Sequence, residues 1–365
     1  TITTPAIRIQ SLLAPGGFSS TPSQLAITSR GNLSLTRSDQ NSFPFGVVAL
    51  GSMDTFTNLG TITLRDMAAT IFSPLVAIAG GNAVTNTGSI SLSGGIGVRD
   101  ARSFTNTGSL TQIAGGRAAQ GVVNVASITN SGTINVGGTA VELPSAGVLI
   151  NSGSITSTGG TAVVGTISGR ITNLAGATIA AAPGRTAIQM GGGQIINAGQ
   201  IIGDVNMGFA QFGPSPSPGT YISRGGTLNG NLLFGSGSDL FFEIDGARGV
   251  TGTINGGAGF DIYGYSRTSN GTVTLGAIPA VNFEAFAVEA FGLETTVTIN
   301  ADAPLSTNIF VSGNGSIVNT ASTSAGLTGL TNSGGFVSSN EVQLSSLSNS
   351  GTLGFVGLAT RQLIN

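Results

Sequence analysis

The sequence predicts an all-β fold, a right-handed parallel β-helix (β-solenoid) with rungs of about 20–25 residues. Three observations predict it: a composition rich in Gly and poor in charge, a short Asn-containing phrase that recurs, and a near-constant step between its copies. Together they indicate short strands separated by tight turns, with each repeat stacked on the last.

The composition favours strands and turns over disorder or helix. Charged residues are 8% of the chain, against roughly 25% in ordinary globular proteins, and 59 of the 365 residues are Gly. Hydrophobic residues still reach 40%, enough to build a core, which excludes charge-rich disorder. Helix is disfavoured because Gly, Asn, Thr and Ser dominate the repeats.

Missing residue types exclude several kinds of chemistry. The chain has no Cys, no His and no Lys, so all 13 of its basic residues are Arg. A disulfide framework, a thiolate zinc site and Ser-His-Asp hydrolysis are therefore excluded. The formal net charge is −2 and the Arg residues are scattered, so we expect no nucleic-acid partner.

The repeated phrase is an apolar residue, then x-Asn-x-Gly-x, then Ile or Leu. Clear copies run over residues 56–62, 84–90 and 128–134, and the copy around residue 173 has one extra residue before its Gly. The candidate structural residues are the asparagines of the nine copies: Asn58, Asn86, Asn106, Asn130, Asn151, Asn173, Asn197, Asn332 and Asn349.

The step between asparagines predicts how the repeats stack. From Asn58 to Asn197 the steps are 28, 20, 24, 21, 22 and 24 residues, too short for helical-pair repeats. Stacked rungs would turn the apolar residues inward and place each Asn beside its equivalents above and below, where the amides can form a ladder. The Gly two residues later would supply either a positive φ or a crowded backbone.

Changes in composition along the chain predict five segments. They are 1–55, a capping or assembly segment; 56–205, regular solenoid repeats; 206–220, a Pro-rich protruding loop; 221–300, rungs richer in aromatic residues; and 301–365, rungs rich in Ser, Thr, Gly and Asn.

With these repeats in place, the chain resembles the passenger region of bacterial autotransporters, of the repetitive surface-protein or adhesin type. The Asn-x-Gly-x-Ile units of 56–201 carry the resemblance, together with residues 202–208, 226–239 and 252–261. It implies export through the outer membrane with a C-terminal barrel domain outside this sequence, followed by display or release. Because the chain starts at Thr1, we expect it to be a processed piece.

Residues 256–263 match a calcium-binding nonapeptide, Gly-Gly-x-Gly-x-Asp-x-apolar. Residues 235–241 nearly match it, which makes Asp239 and Asp261 the calcium candidates. Their separation of 22 residues is one rung rather than one or two nonapeptides. The favoured interpretation is therefore that both residues cap Gly-rich turns, and we expect no cofactor.

Other acidic residues suggest weaker candidates. Glu284, Glu289 and Glu294 could act in polysaccharide cleavage, but a solvated rung edge is the favoured interpretation. Asp66 beside Arg65, and Asp100 between Arg99 and Arg102, indicate surface ion pairs.

The sequence therefore predicts a secreted or cell-surface structural and adhesive protein of a Gram-negative bacterium, without catalytic residues. The expected partners are other copies of the chain, in end-to-end or edge association into fibres, and host, neighbouring-cell or matrix surfaces. The alternative is a carbohydrate-active β-helix enzyme, a lyase or hydrolase.

Overall fold

The computed structural model describes residues 7–8, 26–37, 47–66, 74–209, 217–273, 280–291, 296–299, 307–313, 316–319, 327–332, 335–344, 346–360 and 363–364. These residues form 42 β-strands and no helix. They divide into two compact units: unit 1 comprises Thr1–Met190 with Gly199–Val205, and unit 2 comprises Gly191–Ala198 with Asn206–Asn365.

The first 22 strands belong to unit 1. In chain order they are β1 (Ile7–Arg8), β2 (Ala26–Ser29), β3 (Asn32–Arg37), β4 (Val48–Ala49), β5 (Thr55–Asn58), β6 (Thr61–Asp66), β7 (Val76–Ala79), β8 (Ala83–Asn86), β9 (Ser89–Ser93), β10 (Ile96–Arg99), β11 (Ser103–Asn106), β12 (Ser109–Gln112), β13 (Gln120–Val123), β14 (Ser127–Asn130), β15 (Thr133–Val136), β16 (Val141–Leu143), β17 (Val148–Asn151), β18 (Ser154–Ser157), β19 (Val163–Gly165), β20 (Arg170–Asn173), β21 (Thr178–Ala180) and β22 (Thr186–Gln189).

The chain then alternates between the units before continuing in unit 2. The remaining strands are β23 (Gly193–Asn197), β24 (Gln200–Ile202), β25 (Asp204–Asn206), β26 (Gly219–Ser223), β27 (Thr227–Asn229), β28 (Leu232–Leu233), β29 (Leu240–Ile244), β30 (Ile254–Asn255), β31 (Ile262–Arg267), β32 (Gly271–Val273), β33 (Ala280–Val281), β34 (Ala285–Ala290), β35 (Thr296–Ile299), β36 (Thr307–Gly313), β37 (Ser316–Asn319), β38 (Leu327–Asn332), β39 (Gly335–Leu344), β40 (Ser346–Asn349), β41 (Thr352–Thr360) and β42 (Leu363–Ile364).

Three parallel sheets make up unit 1, and successive strands along the chain fall in sheets A, B and C in turn. Sheet A contains β1, β4, β7, β10, β13, β16, β19 and β22; sheet B contains β2, β5, β8, β11, β14, β17 and β20; sheet C contains β3, β6, β9, β12, β15, β18, β21 and β24. Each strand pairs in parallel with its equivalent one rung away, as β8, β11 and β14 do in sheet B. The predicted parallel β-solenoid is confirmed.

The interior of unit 1 is filled by the apolar residues of the repeated phrase. Phe56 pairs with Val84, which pairs with Phe104, and all three side chains are at most 2% exposed. The equivalent residues Ile62, Ile90 and Leu110 of sheet C are fully buried. Alternate residues of these short strands therefore form continuous inward columns, which is the burial that holds the rungs together.

Unit 2 is also built from parallel sheets. Sheet D contains β23, β26, β29, β31, β34, β36, β38, β40 and β42; sheet E contains β28, β30 and β33; sheet F contains β32, β35, β37, β39 and β41. Its inward column in sheet D is aromatic, and the rings of Tyr221, Phe241 and Tyr263 follow each other at 5.9 and 4.7 Å between centroids.

The division into five segments stays a prediction. Most of 1–55 and residues 210–216 of the Pro-rich loop lie outside the described residues, as do several stretches of 301–365.

Candidate functional site

The first candidate site is a ladder of buried asparagines at one corner of unit 1. Asn58, Asn86, Asn106, Asn130, Asn151 and Asn173 each end a strand of sheet B, and all are 0% exposed. From Asn58 to Asn173, each Nδ2 donates to the Oδ1 of the next Asn, at 2.7 to 2.9 Å.

Each ladder amide also binds the backbone of its corner. The Nδ2 of Asn130 donates to the carbonyl of Ser154 one rung on, at 3.3 Å, and to that of Gly132 in its own rung, at 3.2 Å. One side chain thus joins a turn, the next rung and the next amide. The Asn130 amide is stable in this core because both its oxygen and its nitrogen are hydrogen-bonded.

In the copies of unit 1 that keep the Asn-x-Gly spacing, the glycine is required by crowding and not by a positive φ. Gly176, which follows the extra residue after Asn173, is the exception, with a φ of 80° and no atom within 4 Å of a Cβ built on it. A Cβ built on Gly132 would lie 2.0 Å from the carbonyl oxygen of Gly108 in the preceding rung, and one on Gly108 would lie 2.0 Å from that of Gly88. Of the two reasons offered by the sequence, the structure shows the close backbone approach at these corners and the positive φ at Gly176.

In unit 2, other residue types occupy the position that is equivalent to the ladder asparagines. Asn197 pairs in register with Ser223, followed by Glu243, Tyr265 and Val288. The same column reaches Asn332 and Asn349 through Val311, and there Asn332 Nδ2 donates to Asn349 Oδ1 at 2.8 Å. The nine predicted asparagines therefore occupy equivalent places within each unit, and other side chains fill the rungs between Asn197 and Asn332.

Glu243 gives this column a buried carboxyl. Its side chain is 7% exposed and its Oε2 accepts a hydrogen bond from the Tyr263 hydroxyl at 2.8 Å. Burial raises the pKa of Glu243, while Tyr263, Arg248 and Arg267 act to lower it. Burial and the nearby Glu243 carboxyl also raise the pKa values of Tyr263 and Tyr265, so both phenols stay neutral. This cluster could not be predicted from the sequence, because strand register is needed to bring these residues together.

A second ladder, which we call the acid ladder, consists of Asp239, Asp261 and Glu284 in unit 2. Each residue directly precedes a strand of sheet D. Glu284 Oε2 accepts the Asp261 backbone N–H at 2.7 Å, and Asp261 Oδ1 accepts the Asp239 N–H at 2.7 Å. The oxygens of Asp239 accept the N–H groups of Gly219 and Gly235.

Burial raises the pKa values of the two aspartates of the acid ladder. Asp239 is 2% exposed and Asp261 is 0% exposed. Burial raises the pKa of Asp239, and burial together with the charges of Asp239 and Glu284 raises the pKa of Asp261 to about 6. The Oδ2 atom of Asp261 is buried and has no hydrogen-bond partner.

The calcium candidates Asp239 and Asp261 thus use three of their four carboxylate oxygens to cap backbone N–H groups. The glycines of the motif serve the stacking: a Cβ on Gly257 or Gly259 would lie 2.0 Å from the carbonyl oxygen of Gly235 or Gly237, respectively. In the part of the chain that the structure describes, no group of three or more His, Cys, Asp or Glu could hold a metal ion.

The acidic trio is partly described. Glu284 is exposed and belongs to the acid ladder, whereas Glu289 is half-buried on β34 and hydrogen-bonded to Ser266 and Ser312, and burial raises its pKa. Glu294 lies outside the described residues.

A cavity of about 290 Å³ opens in unit 1, lined in part by Asp66, Arg117 and Gln120. Asp66 is 5% exposed and its Oδ2 accepts the Leu75 N–H at 3.0 Å, so the predicted surface position of this carboxyl was wrong. Its carboxyl caps a backbone N–H, and the local sequence did not show this burial. Arg99 and Asp100 do form an ion pair at the surface, with Nε and Oδ2 3.3 Å apart.

Comparison with known proteins returned no matching family model, no matching curated protein and no matching solved structure. A search of the described residues for a helix that could span a membrane also found none.

Proposed function

We propose that this chain is a secreted or cell-surface structural and adhesive β-solenoid, similar in role to the passenger of an autotransporter. The observation that carries the proposal is a pair of rows on the outer face of sheet C, where uncharged, mostly hydroxyl-bearing side chains repeat in register over successive rungs. In this proposal the protein adheres to other surfaces through this face, and the core and the Asn ladder hold the backbone of the face in place.

The contact face is defined by the residues that begin the strands of sheet C. Thr61 pairs with Ser89 and then Ser109, Thr133, Ser154 and Thr178, and all of them are partly or fully exposed. Parallel rungs lie about 4.8 Å apart, so these hydroxyls form a regular row. A second row runs two residues further along each strand, from Thr63 through Ser91 and Thr111.

Such a face suits adhesion for a physical reason. Short Ser and Thr side chains on a paired backbone lose little conformational entropy on binding, so many weak hydrogen bonds can add up over a long face. The absence of charge from these two rows means that contact does not require an oppositely charged partner. Other copies of the chain and neutral cell or matrix surfaces are therefore the proposed partners, and the exterior of a Gram-negative cell is the proposed location.

The experiment measures adhesion of beads coated with the full chain, both to identical beads and to suspended Gram-negative cells. The variant S109R/T133R places two charges on adjacent rungs of the contact face. The matched control A126R/T166R places two charges on exposed residues elsewhere in unit 1. We expect the first variant to lose most adhesion and the control to keep it, with both folded by circular dichroism. Equal adhesion of the two variants, or no adhesion by the unmodified chain, would contradict the proposal.

The alternative, a carbohydrate-active enzyme, makes a different prediction. It requires carboxylates that reach a substrate, and Glu284 and Glu289 are the candidates with exposed or half-buried positions. Release of reducing ends or unsaturated sugars from a panel of acidic and neutral polysaccharides, abolished by E284Q or E289Q, would favour the enzyme over the adhesin.

A further inference from the structure

We propose that the acid ladder is a proton-dependent clasp within unit 2: the corner is tight while Asp261 carries a proton, and it loosens when that proton is lost. The inference concerns how unit 2 responds to pH, and it is independent of the proposed adhesive function.

The geometry disfavours a charge on Asp261. Its side chain is fully buried, and Oδ1 has one backbone donor, the Asp239 N–H, while Oδ2 has none. An ionised carboxylate without donors for both oxygens is costly to bury, and the neutral acid costs much less. Because Oδ2 is enclosed, the smallest ligand that can remove the charge is a proton.

Like charges surround the same group. The preceding rung presents Asp239 and the following rung presents Glu284, about 4.8 Å away per rung, and these two acids are the charged groups that act on Asp261. The nearby cations Arg248 and Arg267 act on Glu243 instead. Three stacked acids without a cation among them favour retention of a proton at the middle position.

The sign of the pH effect follows from the raised pKa. Asp261 titrates at about 6 in the folded chain, against 3.8 as the ordinary value. Its contribution to stability is therefore fully present below about pH 4 and is lost as the pH rises through about 6. Between pH 5 and pH 8, this one group should raise the opening equilibrium constant of the corner about tenfold.

The test compares hydrogen-exchange protection factors of the Asp239 amide, which donates to Asp261 Oδ1, at pH 5 and pH 8 in the full chain. The variant D261N keeps an acceptor and cannot titrate, and E142Q removes a carboxylate from sheet A of unit 1 as the control. We expect protection to fall about tenfold more in the unmodified chain and in E142Q than in D261N. An equal fall in all three proteins would overturn the clasp.

A second measurement needs no variant. The carboxyl carbon of Asp261, followed by NMR in the unmodified chain, should titrate above pH 5, and titration at or below pH 5 would refute the proposal. Adding either calcium chloride or a chelator at pH 8 tests whether the site binds a calcium ion rather than a proton. Stabilisation of unit 2 by calcium that is absent in D261N would also overturn the proposal, because the site would then bind a metal ion.

Discussion

Removal of one amide from the Asn ladder should destabilise unit 1 far more than removal of an exposed amide nearby. In the variant N130A, the chain loses a donor to Asn151 Oδ1 at 2.8 Å and an acceptor for Asn106 Nδ2 at 2.7 Å. It also loses the two backbone contacts of Asn130. Each buried ladder bond is worth about 1 kcal/mol net, and polar groups left without a partner add about another 1 kcal/mol, so we expect a loss of about 3 kcal/mol.

The matched control is N135A, in the same rung, where Asn135 is an exposed residue of sheet C. Exposed substitutions of this kind change stability by about 0.5 kcal/mol or less. A third variant, N130D, keeps the shape but replaces the donor with an acceptor facing Asn151 Oδ1, and at pH 7 it should lose at least as much stability as N130A.

Urea unfolding gives the overall change, and hydrogen exchange gives the local one, because a repeat array need not unfold in one step. The amides of Ser131 and Gly132, which donate to the Asn106 carbonyl at 2.8 and 3.1 Å, report on this corner. A loss of about 3 kcal/mol corresponds to protection lowered more than about 100-fold. Equal stability of N130A and N135A would refute the role assigned to the ladder.

Three further predictions concern other contacts. G132A should be strongly destabilising, because its Cβ would lie 2.0 Å from the Gly108 carbonyl oxygen. G31A should be neutral, because a Cβ there would have no atom within 4 Å. The melting temperatures of the two variants test this difference. Y263F should cost unit 2 about 1–3 kcal/mol in urea unfolding, since the buried Glu243 carboxyl loses its 2.8 Å donor; unchanged stability would mean that the bond contributes nothing. Asp245 has a lowered pKa, mainly because the backbone and side chain of Thr268 donate to it, so its contribution exists above about pH 4 and is lost as the pH falls further. D245N should remove the acid-induced loss of protection at the Thr268 amide, and an unchanged loss would assign it to another group.

Much of the fold could be predicted because every repeat carries the same pattern of apolar residues, Asn and Gly. Phe56 and Val84 hold the first position of the phrase, Ile62 and Ile90 hold the last, and all four point inward. The asparagines that follow the apolar residue end equivalent strands for the same reason: stacking places equivalent residues of successive rungs side by side.

Interactions between residues that share no motif could not be predicted in this way. Glu243 and Tyr265 occupy the ladder column, but they resemble neither Asn nor each other, and only the register of β29 on β31 places them there. The acid ladder did leave a signal in the sequence. Glu284 follows Asp261 by 23 residues, as Asp261 follows Asp239 by 22, but the nonapeptide motif drew attention to the first two alone.

The in-register stack of unit 1 can be tested directly by a distance between spin labels on two corner residues. Leu59 and Leu174 each follow a ladder asparagine and are 44% and 40% exposed, and the chain contains no other Cys to label. Five rung steps of about 4.8 Å separate them. Double electron–electron resonance on spin-labelled L59C/L174C should therefore give a distance distribution centred near about 24 Å, with a width set by the label linkers. An unstructured chain of that length would give a broad distribution near about 60 Å. A broad or long distance would contradict the stacked solenoid on which the whole account depends.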